Sequence, residues 1–298
     1  MSAAELAVSS WSWHDRYYAG TWSLLDLPAA AAALGLHYLE CNDFMLPPPR
    51  WSRVRRLLCQ ALPGAPPEWW RYSRASLRRL RDRAITRATP ILAWTINSDF
   101  AVPARHWPLQ RLYLRRGLLA ARLLGARLLR VNLGGSPATS TAQGATVVHR
   151  LARFAGAAQQ YYPGLALTVE NHWGISSDPD RHLALFDRAR QQLSPSLQAR
   201  FGCCFDPGNV PAGAPAAQRE RWWWALAARA NHYHFKTTAF NAAGEDVALP
   251  HAFLLALLRE AGYRGAYTVE FQGDGDAAAG VRQSAALFRV CCDGSGAC

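Results

Sequence analysis

Phe201-Gly202-Cys203-Cys204-Phe205-Asp206-Pro207-Gly208-Asn209 is an apolar run closed by a carboxylate and a turn, and its recurrence decides the fold. The same figure appears at Leu165–Val169 followed by Glu170, at His232–Phe235 around His234, and at Ala266–Val269 followed by Glu270. Stretches of helical period follow these runs, at about residues 180–192, 215–230, 250–261 and 276–290. The runs are continuous and do not alternate apolar with polar, so these strands are buried on both faces. Parallel strands covered by helices have that property.

Working toward the N-terminus, the pattern repeats. Leu6–Trp13 is followed by a helix from about Ser23 to Gly35, and His37–Cys41 by an arginine-rich helical region from about Trp51 to Ala88, interrupted by a loop at Pro63–Pro67. Ile91–Ile96 precedes a helix from about Pro108 to Gly125, and Arg127–Leu133, closed by Gly134-Gly135, precedes one from Ala145 to Tyr161. Eight such alternations within 298 residues predict an α/β protein of the (β/α)8 TIM-barrel type. One domain over residues 1–298 is expected, with the barrel at roughly 6–290 and a short cysteine-containing C-terminal tail. No strand is followed by a glycine-rich nucleotide-binding turn.

The composition narrows the function classes. Thirty-three basic residues against 21 acidic ones give a formal charge of +12, and Lys236 is the one lysine among the basic residues. Arg71, Arg74, Arg78, Arg79, Arg81, Arg83 and Arg87 read as a solvated helix face, because no RNA-binding signature, zinc-finger spacing or basic region with heptads accompanies them. No nucleic-acid partner is therefore expected. Even the leucine-rich stretch from Leu118 to Leu129 is broken by Arg122 and Arg127, well short of the roughly 20 apolar residues a bilayer requires, so no membrane association is expected. Glu5 and the lack of a basic segment before an apolar one argue against a signal peptide. Seven cysteines without a C-x-x-C spacing suggest reduced thiols in a cytoplasmic protein. A homo-oligomer is compatible with the sequence.

Reacting groups of such a barrel come from the C-terminal ends of the strands. Glu170, Asp206, His234 and Glu270 hold that position in successive repeats, so their side chains reach one mouth. Three carboxylates sharing a partly desolvated pocket repel one another unless a cation neutralises them. A divalent metal ion does so. Oxygen ligands with one imidazole suit Mn2+ first, with Mg2+, Co2+, Fe2+ and Zn2+ as alternatives. By a period of two, His232 lies on the same side as His234 and deeper, and Lys236 continues toward the mouth. His172 follows Glu170 in the loop over the site. Trp11, Trp13 and His14 end the first strand, where aromatic side chains either wall the mouth or, more commonly for tryptophan, pack in the core.

Glu170-Asn171-His172-Trp173-Gly174, Asp206-Pro207-Gly208-Asn209, His234-Phe235-Lys236 and Gly262–Glu270, with Asn97–Phe100 and Arg130-Val131-Asn132 upstream, resemble the sugar phosphate isomerase/epimerase family, the xylose isomerase-like TIM barrels. The resemblance implies a divalent metal held by Glu170, Asp206, His234 and Glu270, with Glu170 and Glu270 doubling as the catalytic acid/base pair. It implies isomerisation or epimerisation of a sugar, sugar acid or related polyol ketone through an enediolate. A lyase on the same scaffold, giving dehydration or glycoside β-elimination, shares the first proton abstraction. His172, Asn209, Lys236, His232, Arg130, Trp13 and His14 are the residues expected around the substrate. Asn209 stands where many members carry a histidine, which counts against the AP endonuclease branch and its DNA-repair chemistry. A non-catalytic sugar-binding barrel is disfavoured by the complete ligand set. The basic exterior favours approach of anionic substrates, an effect that salt screens.

Overall fold

The computed structural model describes residues 6–47, 54, 57 and 72–295. Eight parallel strands close into a barrel in chain order: β1 Leu6–Ser9, β2 Tyr38–Asn42, β3 Ile91–Thr95, β4 Leu128–Val131, β5 Ala166–Glu170, β6 Phe201–Phe205, β7 Ala230–Thr237 and β8 Ala266–Phe271. Around them lie α1 His14–Tyr18, α2 Leu27–Ala33, α3 Arg74–Thr86, α4 Trp107–Leu124, α5 Thr141–Tyr161, α6 Pro179–Gln191, α7 Pro195–Gln198, α8 Ala216–Ala227, α9 His251–Glu260 and α10 Ala277–Ser295. The expected TIM barrel is the observed one.

Boundaries differ where local chemistry intervenes. The first strand stops at Ser9, because the Ser9 side chain accepts from the Trp11 amide and turns Ser10–Trp13 into a short 3-10 helix. α5 starts earlier than its apolar period suggests, since Ser140 caps it and the Gln143 side chain returns to the Ser140 amide at 3.0 Å. α4 has Pro108 in its first turn and ends on Gly125 in the left-handed region, as the sequence indicates. Of the arginine-rich region, the part from Trp51 to Arg71 lies outside the described residues apart from Val54 and Leu57. In α3, Leu77, Leu80 and Ala84 face the core while Arg74, Arg78, Arg79 and Arg83 are exposed, so this face is solvated.

The main apolar core lies between strands and helices, and the inside of the barrel is different in kind. Ala7, Leu92, Ala93 and Leu128 form a small apolar cluster near the N-terminal ends of the strands. Ser9, Glu40, Arg130, Thr168 and His232 are buried polar side chains farther along the strands. Buried polar groups cost free energy unless paired, and Asn42 supplies several pairings. Its Nδ2 donates to Ser10 Oγ at 3.0 Å, while its Oδ1 accepts from Thr95 Oγ1 at 2.7 Å and Arg130 Nη2 at 3.1 Å.

Cys41, Cys203 and Cys204 are buried free thiols. Cys292 is disulfide-bonded, which departs from the expectation of reduced thiols throughout, because spacing along the chain does not reveal which sulfurs meet in space. Among the described residues no helix is long and apolar enough to cross a membrane.

Candidate active site

Strand register delivers the functional side chains. β5 places Glu170 beside Cys204 of β6, and β7 places His234 beside Thr268 and Lys236 beside Glu270 of β8. Asp206 follows β6 at once, and its position is fixed by Asn171. The Asn171 Nδ2 donates to the Asp206 carbonyl at 2.8 Å, and its Oδ1 accepts from the Asp206 amide at 2.9 Å. Asp206 Oδ1 in turn accepts from the Gly208 amide at 2.8 Å, closing the turn after the strand. Gly208 leaves room for the Lys236 side chain, since a Cβ there would meet Lys236 Cδ at 2.6 Å and displace it.

His234 is the centre of the cluster. Its Nδ1 lies 3.4 Å from both Glu170 Oε1 and Asp206 Oδ2, and its Nε2 lies 3.1 Å from Glu40 Oε1. Glu170, Asp206 and His234 present ligand atoms that all lie within 4.8 Å of one another. Glu270 joins them through a second such group with His234 and Glu40. Between Asp206 and Glu270 sits the ammonium of Lys236, 2.8 Å from Asp206 Oδ2 and 3.3 Å from Glu270 Oε1. Arg130 Nη1 donates to Glu170 Oε2, and His172 Nδ1 lies 3.3 Å from the same oxygen, so His172 sits in the loop above the site. Asn209 bridges the two halves: its Oδ1 accepts from Lys236 Nζ at 3.2 Å, and its Nδ2 reaches Glu170 Oε1 at 3.5 Å.

The electrostatics follow from this crowding. Burial pulls the Glu170 carboxyl toward neutrality, but Arg130 and His172 outweigh it and hold Glu170 well below the usual carboxylate range. Burial opposes Asp206 ionisation likewise, and Lys236 with His234 overcomes it. Lys236 is pushed above its ordinary value because Asp206 and Glu270 outweigh its own desolvation. Between these two carboxylates the Lys236 ammonium is a compact cation and hydrogen-bond donor. His232, against its burial, is raised to about 9 by Cys204 and Glu40.

This donor chemistry fits a divalent cation. Carboxylate oxygens of Glu170 and Asp206 meet the His234 imidazole in one group, and Glu270 meets it with Glu40 in a second, all buried. His234, Lys236 and Arg130 lie against these same carboxylates.

The expected Trp13 contact packs elsewhere. The Trp13 indole is buried and stacks on Trp22 at 5.6 Å between ring centroids, inside the core. His14 stacks on Trp11 at 4.7 Å and lies 3.2 Å from Asp15. Sequence reading missed Glu40, which is fully buried on β2 and touches both His232 and His234. Its signal was present, a carboxylate interrupting a strand read as buried on both faces.

The sequence profile of the xylose isomerase-like TIM barrels matches residues 28–291. The chain belongs to that family. Comparison with curated proteins finds no match. Among solved structures, a D-allulose 3-epimerase from Methylomonas sp. in complex with D-allulose superposes with a TM-score of 0.67 at 15% identity, covering 96% of each chain. A xylose isomerase-like TIM barrel protein from Mycobacterium smegmatis in complex with magnesium gives 0.66 at 13% identity, covering 98% of each chain. The 3-keto-D-glucoside 4-epimerase of E. coli gives 0.64 at 12% identity, covering 97% of this chain and 100% of that one. At these identities the likeness establishes the fold, and members of this fold include sugar epimerases.

Proposed function

We propose that this family member is a divalent-metal-dependent epimerase or isomerase of a keto sugar, sugar acid or related polyol ketone. The observation that carries the reading is the meeting of two buried donor groups on His234, one with Glu170 and Asp206 and the other with Glu270 and Glu40. Glu170, Asp206, His234 and Glu270 would hold the cation, which supplies polarisation of the substrate carbonyl and acidifies the neighbouring C–H. Mn2+ is the first candidate, ahead of Mg2+, Co2+, Fe2+ and Zn2+.

Glu170 and Glu270 come from β5 and β8, three strands apart around the ring, so a substrate between them presents different faces to the two carboxylates. One removes a proton from the carbon beside the carbonyl, and the other returns one. Return to the opposite face of that carbon inverts it, and return to the former carbonyl carbon isomerises the sugar. Glu170, held ionised by Arg130 and His172, starts as the base. Lys236 remains an ammonium and donates toward substrate oxygens, with Asn209 and His172 orienting hydroxyls from the rim. Arg130 and His232 lie beneath and fix Glu170 and Glu40, while Trp13 supports the first-strand loop from within the core. His14, stacked on Trp11, is the first-strand contact kept for the substrate's distal end. Asn209, an amide spanning Lys236 and Glu170 where many members carry a histidine, disfavours the DNA-repair reading.

Incubation of the purified protein with Mn2+ and D-fructose, D-allulose, D-tagatose or a 3-keto-glucoside in D2O tests this. An isomeric product carrying one solvent deuterium is expected. An unsaturated product would reassign the protein to the lyases, and the absence of any product across keto sugars and sugar acids would remove the proposal.

A further inference from the structure

We propose that Glu40 is a positioning residue, which anchors Nε2 of His234 so that its Nδ1 faces the metal-binding carboxylates. The inference rests on the metal-centre reading given above. Glu40 is fully buried inside the barrel, and His234 Nε2 lies 3.1 Å from its Oε1 and 3.2 Å from its Oε2, the oxygen that His232 Nε2 also approaches at 3.2 Å. A carboxylate can only accept hydrogen bonds, so the ring proton of His234 stays on Nε2. With Nε2 anchored on Glu40, the ring atom turned toward the candidate ligands is Nδ1, 3.4 Å from both Glu170 Oε1 and Asp206 Oδ2. Carboxylate partners on the far nitrogen orient metal-binding histidines and raise their basicity.

Glu40 is itself held. His232, which shares it, meets Thr268 Oγ1 at 2.8 Å and packs edge-on against the His234 ring at 5.0 Å between centroids. Two competing arrangements are built into the same cluster, Glu40 with His234 and Glu270, and Cys204 with His232 and His234. Each would turn Glu40 or the deeper side chains into direct ligands. With Nε2 turned to Glu40, the His234 nitrogen that faces Glu170 and Asp206 is Nδ1.

Two measurements on the full chain test the assignment. In Mn2+ titrations, the wild type is expected to bind one ion, with Glu40→Gln weakened about 10-fold and Glu40→Ala up to about 100-fold, the range seen when such partners are removed. In long-range 1H–15N spectra of the Mg2+-loaded wild type, His234 is expected to keep its proton on Nε2 and none on Nδ1. Both variants binding within twofold of wild type would overturn the role of Glu40. So would a loaded His234 lacking the Nε2 proton, which would place the ion in one of the deeper groups. The spectra stand even if a variant does not fold. A wild type that binds no Mn2+ would instead remove the metal reading itself, and the wild-type isotherm separates that failure from the other two.

Discussion

At the scale of single residues, the cluster is organised by charges that neutralise each other. Glu270→Gln keeps the shape of the side chain and removes a proton carrier. Turnover is expected to fall by about 10²–10⁴-fold, the usual worth of a positioned acid or base, with an unchanged circular dichroism spectrum. Activity near wild type would reassign the acid/base pair. Lys236→Met leaves Asp206 and Glu270 without their shared ammonium. Removing one partner of a buried ion pair costs about 3–5 kcal/mol, so the metal-free variant should melt well below wild type, with part of the loss recovered on adding Mn2+. Identical melts with and without Lys236 would show that the pairing contributes nothing. The lone lysine was visible in composition, and its place among the carboxylates follows from β7–β8 register. Glu40 escaped notice because its relevance depends on partners nearly 200 positions away in the chain, on β7.

At the scale of elements, turns after the strands decide where the ligands stand. Asn171 ties the end of β5 to the end of β6 through two hydrogen bonds to the Asp206 backbone. Asn171→Ala leaves a buried amide and carbonyl unpaired, a loss of about 1–3 kcal/mol readable in urea unfolding, and should weaken Mn2+ binding as Asp206 drifts. Unchanged stability would mean that other contacts hold the two strand ends together. Helix termini such as Gly125 were legible because capping is a local interaction. The short α7, Pro195–Gln198, and the 3-10 turn after β1 were not, since each is a brief turn with no periodic apolar face of its own.

At the scale of the whole molecule, two expectations concern stability. His182, buried between Ser176 Oγ at 3.0 Å and Cys203 Sγ at 3.6 Å, is lowered by its burial from 6.5 to about 4. Below about pH 6.5 the unfolded chain takes up a proton that the folded one refuses, so stability is lost as pH falls from there toward 4. At about 1.4 kcal/mol per unit the loss reaches about 3 kcal/mol, and His182→Gln should flatten that part of the profile relative to wild type. Equal acid sensitivity in both proteins would exclude His182 as the cause. Mn2+ binding the native state alone should add about 2.7 kcal/mol at 100 times its Kd, a gain that a chelator abolishes. A melting temperature indifferent to both metal and chelator would count against the proposed centre. The order of strands, their burial on both faces and the alignment of Glu170, Asp206, His234 and Glu270 at one end were determined by the sequence, because periodicity and strand spacing are properties of the chain itself. Which carboxylate meets which cation was decided by tertiary structure alone. Closing the barrel brings β2 across to β7, so that Glu40 lies against His232 and His234, and packs Trp13 on Trp22 instead of at the mouth. Contacts of that kind depend on ring closure and register, which no local stretch of residues encodes.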